Sequence, residues 1–509
     1  MFRRSSWTVL APALAALVGL AGGARAQSPD PSPTPTPAAT AGTTTPAAPA
    51  SELEGKKETA PPQAPAAQSK AATGASQEDT SRFSEEPIPL VKLPARPGPL
   101  VELGAPFLET GPLSKGFTLP GGATWQPAFL AWGVLRSGVH VVDQGNGTQS
   151  AAWRNRLDLF GQLSLTPTER FVVSFRPLDQ NGQFTGYTFS PVHSEVNAFN
   201  SAVTTLYFEG DFGELFPNLD RRDTKALDYG FAVGRIPVFF QEGMLINDAM
   251  DGVGVVRNSL RPMKSWANLR ITGLLSWGQI NRGGNNVIDP SANLVGLFTE
   301  FDTPTSTVDV DAAYIDASKG TGSGLYGGIS SAQRLSGWLN STFRVLGSRA
   351  IDLRTSSVAS GVLLFSALSF TPKSTDDVAY LDLYWALDNY TPAARDAGLG
   401  GPLDRVGILY EGVGLGTGYG NALSNQSKDS IGGAIGYQKF LNATRTQIIF
   451  ELGGQKGTVS ANRLGQIAFA VRFQQALGRR VIARVEGFAL GRESLAPNYG
   501  ARCELLVKF

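Results

Sequence analysis

The chain ends in Tyr499-Gly-Ala-Arg-Cys-Glu-Leu-Leu-Val-Lys-Phe509, and this segment carries the clearest indication of the fold. Every second residue from Tyr499 to Phe509 is apolar, whereas the residues between them include three charges, Arg502, Glu504 and Lys508. A period of two is the pattern of a β-strand with one apolar face and one polar face. A soluble β-sandwich also contains such strands, so the interpretation depends on how often the pattern recurs.

The same alternation recurs in segments of about ten residues along the chain, which is typical of a transmembrane β-barrel. It is clearest at 154–165, 268–277, 466–474 and 480–489. Aromatic residues stand near the predicted strand ends, as in the interfacial girdles of such barrels. They are Trp125, Trp132, Trp153, Trp266, Trp277, Tyr499 and Phe509.

The connections between these segments fall into two classes. Tight turn sequences stand at 166–169, 302–305, 441–444 and 476–479, and longer polar stretches lie near 178–200, 280–292, 317–334 and 414–430. Short turns at one end and long loops at the other fit an outer-membrane barrel. The segments number about 18, and a weak strand near 349–355 leaves 16 or 18 open because bacterial single-chain barrels have even strand numbers.

The composition narrows the function. A net charge of +1 argues against a nucleic-acid-binding protein, which carries a clear basic excess. One cysteine and two histidines, His140 and His193, give little material for a metal site, a cofactor site or a catalytic triad, and no Gly-x-Ser-x-Gly elbow is present. We therefore expect no enzyme, no cofactor and no metal. Cys503 falls on the apolar face and is expected to point toward lipid.

The N-terminal quarter has a different composition. Arg3 and Arg4, an apolar stretch and Ala24-Arg-Ala26 predict a signal peptide over 1–26. Residues 27–95 are rich in Pro, Ala, Ser and Thr and predict a disordered periplasmic linker. Residues 96–124 predict an irregular segment, either periplasmic or a plug of the lumen. The barrel is expected over 125–509.

Two stretches carry a resemblance to known families. Phe509, preceded by Val507 and Leu505 on the same face, resembles the C-terminal signal of bacterial outer-membrane proteins that the barrel-assembly machinery reads. Residues 229–256 contain a strand ending in Gly-Arg, a loop with Glu-Gly, and Asp-Gly-Val, and they resemble porins and alginate-export barrels. The second resemblance implies that the loop after this strand bends back into the lumen.

Two short motifs have ordinary interpretations. The alternating glycines at 412–420 lack the spacing of a dinucleotide-binding loop and favour a strand with one smooth face. Asp248 and Asp251-Gly252 lack the ligand spacing of a calcium loop and favour a turn between strands.

Charged residues on the polar face of the strands are expected to face the lumen, because an arginine on the lipid face at the bilayer midplane costs about 2–4 kcal/mol. The candidates for ion selectivity are Arg154, Arg156, Asp158, Arg270, Asp382, Glu451, Arg472, Arg484, Glu486, Arg502 and Glu504. A purely structural role, in which these charges form ion pairs that stabilise the barrel wall, explains their presence about equally well. If they set selectivity, a modest preference for anions is expected.

The sequence therefore predicts an outer-membrane channel for passive diffusion of small hydrophilic solutes or ions. The alternatives are a structural barrel that tethers the membrane to cell wall or partners, and a gated polysaccharide exporter. Expected partners are outer-membrane lipid and the barrel-assembly machinery. Contact with peptidoglycan through the linker and assembly into a homotrimer are left open, and no nucleic acid is expected.

Overall fold

The computed structural model describes residues 98–104, 115–180, 182–222, 224–317, 321–352, 354–412, 415, 422–459 and 465–509. The predicted signal peptide and the predicted linker lie outside these residues. In the part of the chain that is described, no helix has the length and hydrophobicity needed to cross a lipid bilayer.

The described chain forms 18 long antiparallel strands. In chain order they are β1 Ala128–Asp143, β2 Gln149–Ser164, β3 Arg170–Phe175 with its continuation Gln183–Ser190, β4 Val203–Asp211, β5 Tyr229–Phe240, β6 Ile246–Leu260, β7 Asn268–Trp277, β8 Ala292–Asp302, β9 Ser306–Ala317, β10 Gly324–Leu335, β11 Leu339–Ala350, β12 Gly361–Phe370, β13 Val378–Asn389, β14 Lys428–Leu441, β15 Thr446–Gly457, β16 Gly465–Leu477, β17 Val481–Arg492 and β18 Leu495–Lys508.

Each strand pairs with the next, and the last strand pairs with the first. β18 lies antiparallel to β1 from Tyr499 opposite Asp143 to Lys508 opposite Val134. The sheet is thus a closed barrel without a free edge along this seam. The prediction of an all-β barrel is confirmed, and its strand number is 18.

The alternation along the strands separates an outer apolar face from an inner polar one. Leu505 on the outer face of β18 is 45 % exposed, whereas its neighbour Glu504 is 1 % exposed. Ile467 and Phe469 on β16 are likewise exposed, and Arg472 is buried. Cys503 is exposed on the outer face. The outer face is a belt suited to lipid, so the charged face lines the lumen.

The two ends of the barrel differ in their connections. The end that holds Ala128 and Phe509, here called the lower end, carries the short turns 303–305, 336–338, 442–445 and 478–480. The four predicted tight turns all lie at this end. The opposite, upper end carries the long connections 278–291 and 390–427. Short turns mark the periplasmic side of outer-membrane barrels.

Several loop and turn predictions were wrong. Residues 324–335, predicted as part of a long loop, form β10, and the stretch 178–200 contains the second half of β3. The stretch near 349–355 is the end of β11 and a connection, not an extra strand. Asp248 and Asp251 lie within β6. Gly412 lies in the connection 390–427 outside any strand, and most of the other predicted glycine-strand residues lie outside the described part.

Strand β3 is interrupted. Phe175 pairs with Leu159 of β2, and the next paired residue, Thr185, lies opposite Asn155. Residues 176–184 therefore span a gap that only three residues of β2 cover, and they must leave the plane of the wall. This insertion brings Arg176 to the polar face of β2.

The described residues before β1 lie at the lower rim. Val101–Leu103 pairs antiparallel with Phe129–Ala131 of β1, below the point where β18 ends. Phe117–Thr118 and Thr124–Trp125 form a small hairpin. None of these contacts places the described part of 96–124 in the lumen as a plug, and 105–114 lies outside the described residues.

Candidate lumen site

The hairpin tip between β5 and β6, residues 241–245, folds into the lumen. Nε2 of Gln241 donates a hydrogen bond of 2.8 Å to Asp311 in the middle of β9. Beside it, Phe240 stacks on Phe298 of β8 with ring centroids 3.5 Å apart. The tip therefore bends inward over the neighbouring strands β8 and β9, as the resemblance at 229–256 implies.

The connection 390–427 fills more of the lumen. Its buried side chains pack against inward residues of β11 to β17 in one apolar cluster. From the connection these are Tyr390, Leu403, Val406, Leu409, Tyr410 and Leu423. An apolar contact of this kind is dry, so the connection narrows the lumen on this side.

Two polar contacts hold this connection to β15 and β16. Glu451 accepts hydrogen bonds from the backbone amides of Ile408 (2.9 Å) and Leu409 (2.8 Å) and from the hydroxyl of Tyr380. A Cβ at position 407 would lie 2.4 Å from the Glu451 carboxylate, so only glycine fits there. Further along, Glu411 forms an ion pair with Arg472.

A ladder of alternating charges lines the wall from β16 through β18 to β1. Arg472 pairs with Glu486, and Glu486 also lies 3.1 Å from Arg502. Glu504 lies 2.6 Å from Arg136 and 3.7 Å from Arg502. Buried charges are tolerated when they are paired in this way, so these contacts brace the wall across the seam.

A second cluster lies where β3 is interrupted. Asp158 of β2 lies 2.8 Å from Arg156 and 3.1 Å from Arg176. Arg176 in turn lies 3.0 Å from Asp396 of the long connection. The wall, the insertion in β3 and the long connection therefore meet at one charged point.

Acidic residues are concentrated on the wall from β8 to β13. Asp309, Asp311 and Asp382 lie on the inner face of β9 and β13, and Glu300 of β8 pairs with Arg270 at 2.6 Å. Two cations stand among them: Arg270 on β7 and Arg344 on β11, the latter 2.7 Å from Glu242 of the hairpin tip. The lumen thus has a wall rich in arginine and a wall rich in carboxylate.

Two carboxylates on the connection 390–427, Glu411 and Asp396, stay ionised because of their arginine partners. Burial opposes ionisation of Glu411, but Arg472, Arg484 and Arg502 lower its pKa to about 2. Burial likewise opposes ionisation of Asp396, and Arg176 and the Gly398 amide keep the pKa of Asp396 below its ordinary value. The connection 390–427 is therefore held at two points by charged contacts at neutral pH.

The structure brings most of the candidate residues together. Arg472, Arg484, Glu486, Arg502 and Glu504 form one ladder, and Asp382 and Glu451 face it from β13 and β15. Arg154 donates a 2.8 Å hydrogen bond to Thr188 and stands apart. Arg270 lies on the acidic wall and is the most exposed, with 43 % of its side chain accessible.

Five important residues were missing from the candidates: Arg136, Arg176, Glu242, Asp396 and Glu411. Arg136 alternates with outward Leu135 and Ser137 on β1, so the same pattern could have identified it. The other four lie on irregular segments, where no period indicates which way a side chain points. Only their contacts in the folded structure show that these four side chains belong to the lumen clusters.

The two histidines do not share a site. His140 lies on β1 opposite Arg502 of β18, and His193 lies in the upper connection 191–202, with its ring 6.2 Å from that of Tyr187. Within the described residues, no group of three or more His, Cys, Asp or Glu side chains is arranged to hold a metal ion.

No protein-family model matches the chain, and no curated protein matches it significantly. Among solved structures, Pseudomonas aeruginosa OccK2 (OpdF) matches with a TM-score of 0.50 and 10% identity over 74% of this chain and 97% of that chain. Pseudomonas aeruginosa OpdK, in a structure with vanillate, matches with a TM-score of 0.48 and 11% identity over 74% and 98%. Wzi of Escherichia coli, described as a carbohydrate-binding β-barrel, matches with a TM-score of 0.44 and 11% identity over 74% and 84%.

At such low identity, the likeness to OccK2 bears on the fold alone. The resemblance to outer-membrane barrels seen in the C-terminal strand is thereby confirmed at the level of the fold. The chain has the 18-stranded barrel fold of outer-membrane porin-type channels.

Proposed function

We propose that the protein is an outer-membrane channel through which small hydrophilic solutes or ions diffuse passively. A barrel of 16–18 strands is wide enough to leave an aqueous passage, and the inner face of this one carries charges that require water or partners. The inward hairpin tip and the connection 390–427 would set the width and the chemistry of that passage.

The observation that carries the proposal is the unequal charge of the two lumen walls. On β1, β2 and β16 to β18, six inward arginines face three inward carboxylates: Arg136, Arg154, Arg156, Arg472, Arg484 and Arg502 against Asp158, Glu486 and Glu504. The acidic wall opposite offsets much of this excess. A modest preference for anions is therefore expected, since rings of charge bias ion passage.

Planar-bilayer recording of the purified protein tests this proposal. We expect discrete conductance steps, and in a KCl gradient a reversal potential displaced toward that of chloride. A barrel that inserts but never conducts would contradict a passive channel. A clear cation preference would contradict the assignment of the arginines and leave the channel itself standing.

A second candidate, a gated exporter or a closed structural barrel, is favoured by the apolar packing of 390–427 inside the lumen. Such a barrel would conduct little until this connection moves. The two candidates differ in one measurement, because loosening the connection should raise the conductance of a gated barrel strongly and that of an open channel only slightly. A tether to peptidoglycan through 27–95 belongs to this second candidate.

A further inference from the structure

The connection 212–228 is unusual for its position. It lies at the lower end between β4 and β5, where outer-membrane barrels normally have short turns. It begins with a short helix, Phe212–Leu215, whose first turn is capped by Asp211 through a 2.8 Å bond from the Gly213 amide. The connection therefore begins with a defined, capped turn of helix.

A row of aromatic rings joins this connection to the outer face of the barrel. Phe171 of β3 contacts Phe208 of β4 at 4.6 Å between ring centroids, and Phe208 contacts Phe231 of β5 at 5.7 Å. Phe231 then contacts Phe212 of the connection at 4.4 Å. The connection thus continues the lower aromatic girdle, at the level where rings lie among lipid headgroups.

The small hairpin before β1 supports this connection from the side. The backbone amide of Asn218 donates to the carbonyl of Gly121, and its side-chain amide donates to that of Pro120, both at 3.2 Å. We call residues 115–125 and 212–222 together the ledge. Its large apolar side chains are exposed: Phe117 is 52 %, Phe216 40 % and Leu219 74 % exposed.

Basic side chains accompany these apolar ones. Arg221 and Arg222 follow Leu219 closely and are exposed, as is Lys225. An acid stands on each side of the pair: Asp220 is engaged with Thr224, whose backbone amide donates to it at 3.0 Å, and Asp223 lies outside the described residues. Exposed apolar rings next to arginines form the pattern of a surface that lies in a membrane interface and attracts anionic lipid.

We propose that the ledge rests in the inner leaflet of the outer membrane and binds the phosphate headgroup of anionic phospholipids. Phe117, Phe216 and Leu219 enter the acyl boundary, and Arg221 and Arg222 meet the phosphates. Continuity with the aromatic girdle favours lipid over a soluble partner, because the row of rings on the outer face of the barrel continues onto the ledge without a break.

The test reconstitutes the full chain in vesicles of phosphatidylcholine containing a minor fraction of phosphatidylglycerol. After extraction in mild detergent, the lipid retained by the protein is counted by native mass spectrometry. An arginine near an anionic surface contributes roughly a several-fold gain in binding. We therefore expect Arg221→Gln/Arg222→Gln to lower the enrichment of phosphatidylglycerol about tenfold.

The matched control is Arg479→Gln/Arg480→Gln, another exposed arginine pair at the lower end, in the short turn between β16 and β17. It should leave the enrichment unchanged. Leu219→Ser should lower retention of both lipids together, and a heat-modifiable band on electrophoresis shows that each variant is folded. Equal loss in both arginine pairs, or no enrichment in the natural protein, would overturn the proposal. A tenfold loss of binding to anionic peptidoglycan fragments in Arg221→Gln/Arg222→Gln, with the enrichment of phosphatidylglycerol unchanged, would also overturn it.

Discussion

Arg176 and Asp396 lie 220 residues apart in sequence, yet Nη1 of Arg176 is 3.0 Å from Oδ2 of Asp396. The first belongs to the insertion in β3 and the second to the connection 390–427. Because Arg176 also contacts Asp158 of β2, the pair ties the long connection to the wall. The contact between Glu411 and Arg472 ties the same connection to β16.

Removing the first of these ties should loosen the connection. We expect Asp396→Asn to raise the current noise of single channels at least about twofold, because Arg176 loses its charged partner on the connection. The control is Lys456→Gln, whose ion pair with Glu493 is more than half exposed at the upper end and worth little. Identical noise in both variants would show that the tie does not restrain the connection.

The second tie should survive moderate acid. The pKa of Glu411 in the folded barrel is about 2, below its ordinary value of 4.5. Its stabilising contribution is therefore complete above about pH 4.5, declines as the pH falls, and is lost near pH 2. We expect the channel current of the natural protein to remain steady down to about pH 3. Glu411→Gln should have at neutral pH the altered current that the natural protein has near pH 2, because residue 411 is uncharged in both cases. A transition of the natural protein near pH 4.5 would contradict this assignment.

Within the ladder, Arg484 is the arginine with the loosest ion pair, so it is the one freest to act on passing ions. It lies 3.8 Å from Glu504 and donates to Gln474, so it is less tightly paired than its neighbours. We expect Arg484→Gln to shift the reversal potential in a KCl gradient toward that of potassium by several millivolts. Arg349→Gln, which removes an exposed arginine at the upper end of β11, should have a smaller effect. No shift in either would mean that Arg484 only braces the wall.

The C-terminal residue is expected to matter for assembly. The amide of Phe509 donates to the carbonyl of Gly133, and a Cβ at Gly133 would lie 2.8 Å from the Phe509 ring. Deleting Phe509, or Gly133→Val, should lower the amount of heat-modifiable barrel in the outer membrane about fivefold. Gly273→Val is the control, because a Cβ there meets nothing within 4 Å. Undiminished barrel after deletion of Phe509 would exclude it as the assembly signal.

The linker is expected to be dispensable for conduction. Residues 27–80 contain ten prolines and a single large aliphatic residue, Leu53, which is too little apolar surface to offset the entropy of ordering. A variant that joins the signal peptide directly to residue 96 should insert and conduct with unchanged conductance. Correct signal cleavage without insertion would assign the linker a role in assembly.

The alternating strands could be predicted from the sequence because each residue's face follows from its parity. The charges of β16 to β18 were identified in this way, and so was the exposed Cys503. Strand β10 was missed for a physical reason. Its glycines resemble those of a loop, but at Gly328 a Cβ would lie 2.6 Å from Leu346 and 3.1 Å from Gln241. Glycine there makes room for the inward hairpin tip, which no local pattern indicates.

The contents of the lumen could not be predicted for a related reason. The side chains of 390–427 pack against strands far away in sequence, and Arg176 reaches Asp158 only because β3 is interrupted. The long lower connection 212–228 was also missed, since its aromatic residues could equally extend a strand. In each case the deciding contact is tertiary and has no sequence period.

The seam between β1 and β18 determines the order in which the barrel can form. Arg136 reaches Glu504 across 368 residues of sequence, so the contact cannot exist until the whole chain is available. Until then β1 and β18 each present a row of unpaired backbone groups, through which the chain could pair with other chains and aggregate. A slip by one residue would turn Glu504 toward lipid and Leu505 toward the lumen. The ion pair therefore forms only when β18 pairs with β1 in the native register. It stabilises that register over a shifted one at the closing step, which is slow because it joins the two ends of the chain.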